Sequence, residues 1–305
     1  MRLGAVVPYW LDRPADEALA VAIAAERHGL AEVWVGEMVS YDAFVLSGAI
    51  ARETRHIRIV PGPLPVPVRT PVGIAMGVAS LQQVAGPDRV AVGLGSSSRT
   101  VAEAWHDRPW TDLPERMADT IAILRTVLGG GRTDHEGVIG SRGFRLAIPA
   151  VVPEIAVAAF GPRMRAVAAA EADRVVVNIV TPGLVRGMAT TPTTVWVVAG
   201  IDPSVEAMTS LKRQLALYLA APGYRDVFAE AGFGDLVGAA RGGKPVAELA
   251  AVMPDELAES VGAIGSPDAV LAALDRFEAA GADTVALVPM TWDDPAGERL
   301  FRLVA

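Results

Sequence analysis

The sequence predicts an α/β fold, a (β/α)8 barrel carrying insertions after strands four and seven. Three observations predict it. Eight short β-branched runs alternate with longer Ala/Leu-rich stretches of helical periodicity, the order that demands parallel strands joined by crossover helices. Most of the runs are apolar without a break, as strands covered on both faces must be. The 305 residues accommodate one barrel of about 250 residues with roughly 55 to spare.

The strands are expected at Leu3 to Pro8, Glu32 to Gly36, Ile57 to Pro61, Arg89 to Gly93, Ile155 to Ala159, Arg174 to Asn178, Thr193 to Ala199 and Thr284 to Pro289. The first helix, Ala15 to His28, repeats apolar residues at Leu19, Ala22, Ile23 and Ala25 and stops before Gly29, a residue suited to the left-handed turn after a helix. Similar units span Asp42 to Arg52, Pro71 to Val84, Arg116 to Leu128, Pro162 to Ala170, Pro203 to Leu219, Pro267 to Ala280 and Pro295 to Val304. Proline stands at or near the first turn of several, where its missing N–H has no partner to lose. Two segments break the rhythm. Residues 129–153 are Gly-rich and read as an inserted hairpin, and residues 222–260, with Gly232, Gly234, Gly242 and Gly243 and two further prolines, read as helical excursions. The two insertions account for about the surplus over a barrel, so a single decorated domain, 1–305, is expected.

Composition narrows the chemistry. The chain has no cysteine, which excludes disulfides, thiolate metal sites, iron–sulfur clusters and a Cys nucleophile, and fits a cytoplasmic setting. Net charge is −8, so no basic field attracts nucleic acid or anionic lipid. The N-terminal apolar stretch is too short to span a membrane. Lysine occurs only at 212 and 244, both in polar segments, which argues against Schiff-base catalysis. No His-x-His, His-Glu-x-x-His or Gly-x-Ser-x-Gly occurs, so neither a metallohydrolase nor a serine hydrolase has a visible framework.

In a parallel barrel the reactive groups stand at the C-terminal ends of the strands. After strand two comes Glu37, a carboxyl in an apolar context and the candidate catalytic and cofactor-binding residue, able to hydrogen-bond a substrate or a ring nitrogen, with an N-cap or ion-pair role almost as good a reading; Met38 follows it. After strand three, Pro61-Gly62-Pro63-Leu64-Pro65-Val66-Pro67 forbids a regular ladder and enforces a stiff bulge able to buttress a flat ring, with a cis peptide compatible with its prolines. After strand four, Gly95, Ser96, Ser97, Ser98 and Arg99 offer N–H groups, hydroxyls and a guanidinium to a phosphate; a small-residue corner is an equal reading. Phe160, Gly161, Pro162, Arg163 and Met164 open a helix after strand five and make the same offer. Asn178 ends strand six and is a further cofactor-binding candidate. Aromatics are scarce, yet Tyr9, Trp10, Trp105, Trp110 and Trp292 gather in the strand-end segments, with His106 beside Trp105. That pattern suits a pocket for a planar or apolar ligand, or core filling.

Taken in order, Leu3-Gly4 to Pro8, Glu32 to Met38, Arg89 to Gly95, Ala158 to Met164 and Ala172-Asp173-Arg174 to Pro182 resemble the luciferase-like monooxygenase family, and within it the actinobacterial branch dependent on coenzyme F420. The resemblance implies a (β/α)8 barrel binding F420, or alternatively FMN, at the C-terminal face, and hydride transfer to or from a small organic substrate. It places the ring on the bulge Pro61 to Leu64, often with a non-prolyl cis peptide. Phosphate falls on Ser96 to Arg99 and Gly161 to Met164, and the acid on Glu37. Trp10, Met38, Trp105, His106 and Trp292 become the substrate wall, and homodimers are common in the family. Three positions depart from the pattern, one of them Pro63, which stands in the bulge where a non-prolyl cis bond is expected. Met38 stands where many members carry His, and Arg174 where the turn before strand six carries Gly. The rival readings are a two-component FMN monooxygenase using dioxygen and a non-catalytic F420- or flavin-binding carrier or sensor.

Overall fold

The computed structural model describes residues 1–10, 13–188 and 191–305. Its strands, in chain order, are β1 (Arg2–Val6), β2 (Glu32–Val35), β3 (Arg58–Pro61), β4 (Leu64–Pro65), β5 (Ala91–Gly95), β6 (Asp134–His135), β7 (Ser141–Arg142), β8 (Glu154–Ala158), β9 (Arg174–Asn178), β10 (Thr193–Ile201), β11 (Gly262–Gly265) and β12 (Thr284–Pro289). The eight expected strands are present, with β4 and β11 in addition. The chain forms two compact units, one of Met1–Leu30, Val177–Ala189 and Thr193–Ala305, the other of Ala31–Val176 and Thr190–Pro192.

In the first unit β1 lies parallel to β12, β12 to β10 and β10 to β11, with Arg2 opposite Thr284 and Val198 opposite Gly262. All nine residues of β10 but Ile201 are buried, which is why this strand reads as an unbroken apolar run. Helix Pro267–Ala279 packs on β10 and β11 and helix Glu17–Arg27 on β1; Val205–Ala216 and Pro267–Ala279 are capped by the hydroxyls of Ser204 and Ser266. The expected helical excursions are Tyr224–Phe228, Gly234–Arg241, Val246–Val252 and Asp255–Val261. β11 escapes the sequence reading because its four residues, Gly-Ala-Ile-Gly, carry one β-branched side chain between two glycines.

In the second unit β2 pairs with β3, and β4, β5, β8 and β9 follow in parallel order. Asp42 caps helix Ala43–Glu53 and Thr70 caps Pro71–Ala85. The inserted hairpin is β6 with β7, antiparallel over two residues each. The base of this unit holds an ion cluster invisible in the sequence: Arg174 and Glu32 are both buried, and Arg174 also lies over the Trp34 ring at 4.9 Å.

Candidate active site

The bulge after β3 and the neighbouring strand β5 carry glycines that other residues crowd. Gly62 has φ +126°, and a Cβ there would sit 2.2 Å from the Gly93 carbonyl oxygen. A Cβ on Gly93 would meet Trp34 at 2.8 Å, and one on Gly95 would meet Pro63 at 3.0 Å. Three successive layers therefore touch with no room for a methyl group. The Gly62–Pro63 peptide is cis, a prolyl bond where the resemblance implies a non-prolyl one. The expectation that the prolines forbid a ladder does not hold: Leu64 and Pro65 pair with Leu94 and Gly95, and the donor next to Pro65 is the Val66 N–H, which gives to the Gly95 carbonyl at 3.0 Å, while the Pro65 carbonyl accepts from Val68 and Arg69 in the following turn. Pro61, Gly62 and Leu64 are buried and Pro63 is half-buried.

Glu37 stands two residues beyond β2, and its carboxylate is engaged. The Arg69 guanidinium donates to both of its oxygens, at 2.7 and 2.5 Å, and the Ala43 N–H donates to one of them at 3.0 Å. Arg69 also pairs with Asp42 and lies over the Phe44 ring. The Glu37 hydrogen bond, with Asp42 behind it, outweighs burial and raises the Arg69 pKa further. Burial works to raise the Asp42 pKa, but the Val45 N–H, Arg69 and the Phe44 N–H together hold its carboxyl below the usual aspartate range. Arg69 is the residue the sequence reading missed; it sits 32 positions from its partner, and no local pattern links the two. Met38 is exposed.

The loop after β5 is tightly ordered. Ser96 is half-buried and its carbonyl accepts from Trp110 Nε1 at 2.9 Å. Ser97 has φ +55°, unusual for a residue with a side chain. Ser98 Oγ accepts from the Val101 N–H at 3.3 Å and starts a π-helical turn, Thr100–Trp105. Arg99 pairs with Glu103 at 2.6 Å and covers the Trp110 ring. Ser97, Ser98, Arg99, Trp105 and His106 are all exposed. Because β5 and β8 are hydrogen-bonded neighbours, the segment Phe160 to Met164 leaves the sheet beside this loop. Gly161 is the N-cap of helix Pro162–Glu171 with no side-chain cap, and a Cβ on it would meet nothing within 4 Å. Gly161 and Pro162 are exposed, Met164 is buried, and Arg163 pairs with Glu115.

In the first unit the strand ends carry an aromatic cluster. Trp10 donates from Nε1 to the Pro289 carbonyl at 2.9 Å and lies 4.9 Å from the Trp292 ring. Tyr9 contacts Trp10 at 5.2 Å and stacks near Trp196 at 6.5 Å. Asn178, half-buried at the end of β9, accepts from the Tyr224 hydroxyl at 2.6 Å, and Tyr224 meets Tyr218 edge-on at 4.9 Å. Burial pushes the phenols of Tyr9, Tyr218 and Tyr224 up, and mutual repulsion of their ionised forms adds to this at Tyr9 and Tyr224, so all three stay protonated at neutral pH. Tyr218, Tyr224 and Trp196 escaped the sequence reading, because their partners Asn178 and Tyr9 lie far away in the chain. Among the described residues no group of three or more His, Asp or Glu is placed to hold a metal ion, and no helix is long and apolar enough to cross a membrane.

Residues 1–284 match the family model of the luciferase-like monooxygenases. An uncharacterized protein of Mycobacterium tuberculosis is 27% identical over 267 residues, covering 77% of each chain. A second protein of that organism, named for a proposed coenzyme F420-dependent oxidoreductase activity, is 28% identical over 127 residues, 42% of this chain and 36% of its own. Among solved structures, the coenzyme F420-dependent tetrahydromethanopterin reductase of Methanopyrus kandleri has a TM-score of 0.83 at 17% identity, covering 100% of this chain and 97% of its own. An F420-dependent secondary alcohol dehydrogenase holding an F420–acetone adduct has 0.80 at 16%, covering 100% and 98%. The oxygenating constituent of 3,6-diketocamphane monooxygenase from Pseudomonas putida, in complex with FMN, has 0.68 at 20%, covering 100% and 96%. The chain therefore has the luciferase-like (β/α)8 fold that the strand and helix alternation predicts.

Proposed function

The chain belongs to the luciferase-like monooxygenase family, and on that premise we propose that it is an oxidoreductase passing a hydride between the deazaflavin coenzyme F420 and a small neutral organic substrate. The observation that carries the reading is the exposed, uncapped start of helix Pro162–Glu171 at Gly161, where a Cβ would meet open space, beside a loop that offers the Ser97 and Ser98 hydroxyls. The first N–H groups of a ten-residue helix have no side-chain acceptor there, which suits an anionic oxygen. The fit extends to the ring: half-buried Pro63, backed by the buried Leu64 and packed against Gly93 and Gly95, offers a flat ring an apolar face.

When bound, F420 supplies a two-electron hydride carrier that reacts sluggishly with dioxygen. The protein's part is to bind, orient and exclude water. In the second unit Ser96, Ser97, Ser98, Arg99 and Gly161 to Met164 receive the phosphate-bearing tail and Pro61 to Leu64 the ring; in the first unit Asn178 offers a polar group to a cofactor oxygen, and Trp10 and Trp292 offer apolar surface to a substrate. Met38, Trp105 and His106, all exposed, belong to the outer substrate wall in this reading. Glu37 acts through Arg69, holding the loop between β4 and the next helix and the start of helix Ala43–Glu53, since its own oxygens are occupied. One barrel domain with two insertions, homodimerisation and a cytoplasmic location complete the proposal, the last supported by the absence of cysteine.

The likeness to the FMN-bound monooxygenase supports a second reading, a two-component FMN-dependent monooxygenase. Turnover separates the classes. Oxidised F420 is expected to be reduced with one of a panel of secondary alcohols, or reduced F420 oxidised by a ketone or enone, without oxygen. Tight F420 binding with no turnover in either direction would favour a carrier or sensor, and oxygen-dependent product formed only with reduced FMN would favour the monooxygenase.

A further inference from the structure

Within the second unit, the inserted segment carries a feature that the cofactor reading leaves unused. From Leu146 to Pro153 eight residues run without a polar side chain, yet none of them belongs to a helix or strand. Main-chain contacts pin the run in place: the Gln82 side chain exchanges two hydrogen bonds with Val151, at 2.9 and 3.0 Å, and Gln83 Nε2 donates to the Pro149 carbonyl at 2.8 Å. Ile148, Val151 and Val152 are left 42, 49 and 38% exposed, a contiguous apolar stretch that packing within the unit does not use. Beside it lies a cavity of about 270 Å³, formed by Val127 and Leu128 at the end of helix Leu113–Leu128 and by Arg145, Leu146, Ile148 and Pro149. An apolar cavity of about 150 Å³ holds benzene, so this one has room for a ring or short chain with a polar head. Arg132 and Arg142, in the same insertion, are engaged by the Gly143 carbonyl and by Glu136. Among the described residues Arg145 has no hydrogen-bond or ion-pair partner, and no carboxylate lines the cavity. The N–H groups of Leu146, Ala147 and Ile148 likewise donate to no protein acceptor among the described residues. In a chain of net charge −8, this is a cation left open beside apolar surface. Residues 145–150 precede β8 and the Gly161 cradle follows it, so the cavity and the cradle stand at opposite ends of that strand.

We propose that this cavity is an accessory binding site for a small monocarboxylate with an apolar body, separate from the cofactor cradle. The Arg145 guanidinium meets the carboxylate with two parallel N–H donors, a match of planar fork to planar acid. The body of the ligand covers Leu146, Ile148 and Pro149 and removes their apolar surface from water. A single negative charge fits better than two, because the cavity lies at the C-terminal end of helix Leu113–Leu128, where the helix dipole is negative. A neutral ligand of the same shape leaves the guanidinium without a counter-charge and gains only the apolar contacts. Every residue involved lies in the second unit, and the site stands whichever cofactor the protein uses.

The test titrates the full chain, without F420, with three ligands of matched body and different head: 3-phenylpropanoate, 3-phenylpropan-1-ol and 2-phenylethyl phosphate. Calorimetry is run on the wild type, Arg145→Gln and Ile148→Asp. Both side chains are exposed, so the thermal midpoints of the variants without ligand are expected to match the wild type. The carboxylate is expected to bind the wild type with a Kd of about 1 mM or tighter, and the alcohol and the phosphate at least tenfold more weakly. Arg145→Gln is expected to weaken the carboxylate tenfold or more and to erase its advantage over the alcohol. Ile148→Asp, which sets a negative charge against the ligand, should weaken the carboxylate by a similar factor. No saturable carboxylate binding up to about 10 mM, or alcohol or phosphate binding as tightly as the carboxylate, would overturn the proposal. Carboxylate affinity unchanged in both variants would place the ligand elsewhere and overturn it equally. Because F420 is absent from these titrations, their result leaves the cofactor reading to its own test.

Discussion

Arg174 Nη1 and Nη2 donate to the two oxygens of Glu32 at 3.0 and 2.9 Å, in a pair from which water is almost wholly excluded. Trp34 Nε1 adds a third donor to Glu32 at 2.7 Å, and Glu154 approaches the other edge of Arg174 at 2.6 Å while also pairing with Arg58. A buried ion pair contributes little net stability over a well-packed apolar pair, but removing one partner strands a charge. Arg174→Met is expected to destabilise the protein by about 3–5 kcal/mol, whereas Glu32→Leu combined with Arg174→Met should recover most of that loss. Chemical denaturation of the two single variants and the double variant measures the coupling.

The glycines of the candidate site separate into two kinds. At Gly62 a methyl group collides with backbone and the positive φ is unfavourable to any side chain, so Gly62→Ala is expected to cost about 2–5 kcal/mol. At Gly161 the backbone is ordinary, with φ −73°, and the space is open, so Gly161→Leu should fold with an unchanged thermal midpoint. Its expected effect falls on the ligand, with F420 affinity reduced a hundredfold or more. Retained affinity in Gly161→Leu would remove the phosphate assignment.

For Glu37 the geometry gives a sharp contrast between anchor and base. Glu37→Gln turns an acceptor of three hydrogen bonds into a group that presents an amide donor to Arg69, and a loss of about 1.5–3 kcal/mol is expected. The rate in the folded variant should fall only a fewfold. A drop of about 10²–10⁴-fold in kcat with full stability is what a general base would give, and would contradict the anchoring role.

Asp42 sets a pH dependence. Its folded-state pKa is depressed, so the stability it contributes is complete above the unfolded value of about 3.9 and is lost as pH falls through the lower folded value. The side chain is half exposed, which screens the effect to a modest size. Asp42→Asn is therefore expected to flatten the stability curve below about pH 4 and to lower stability slightly at pH 7 through the altered cap of helix Ala43–Glu53. Thermal midpoints of the two proteins between pH 3 and 7 give the comparison.

The fold was legible where one physical signal dominates. Apolar runs such as Thr193 to Ala199 and Pro-started helices such as Pro162 to Ala170 are local, and each appears within a few residues of its expected place. β11 was not, because its glycines and single isoleucine give no period. Nor was the ladder at Leu64–Pro65, where the neighbouring Val66, not a proline, supplies the N–H to Gly95. In the candidate site, sequence order alone placed Gly161, the serine loop and the bulge at strand ends. The partners that decide their chemistry, Arg69 to Glu37 and Tyr224 to Asn178, are 32 and 46 residues away and leave no local trace. Arg174 stood out as a departure from the family pattern, and its meaning became visible only with Glu32 142 positions distant.

The central claim is that the cradle of the second unit takes F420. The most direct measurement is an anaerobic titration of the purified protein with F420, following quenching of its fluorescence, set against the same titration with reduced FMN. The account predicts saturable F420 binding in the micromolar range or tighter, abolished in Gly161→Leu, with FMN binding at least tenfold weaker. Binding of reduced FMN alone, or F420 affinity indifferent to Gly161, would contradict it.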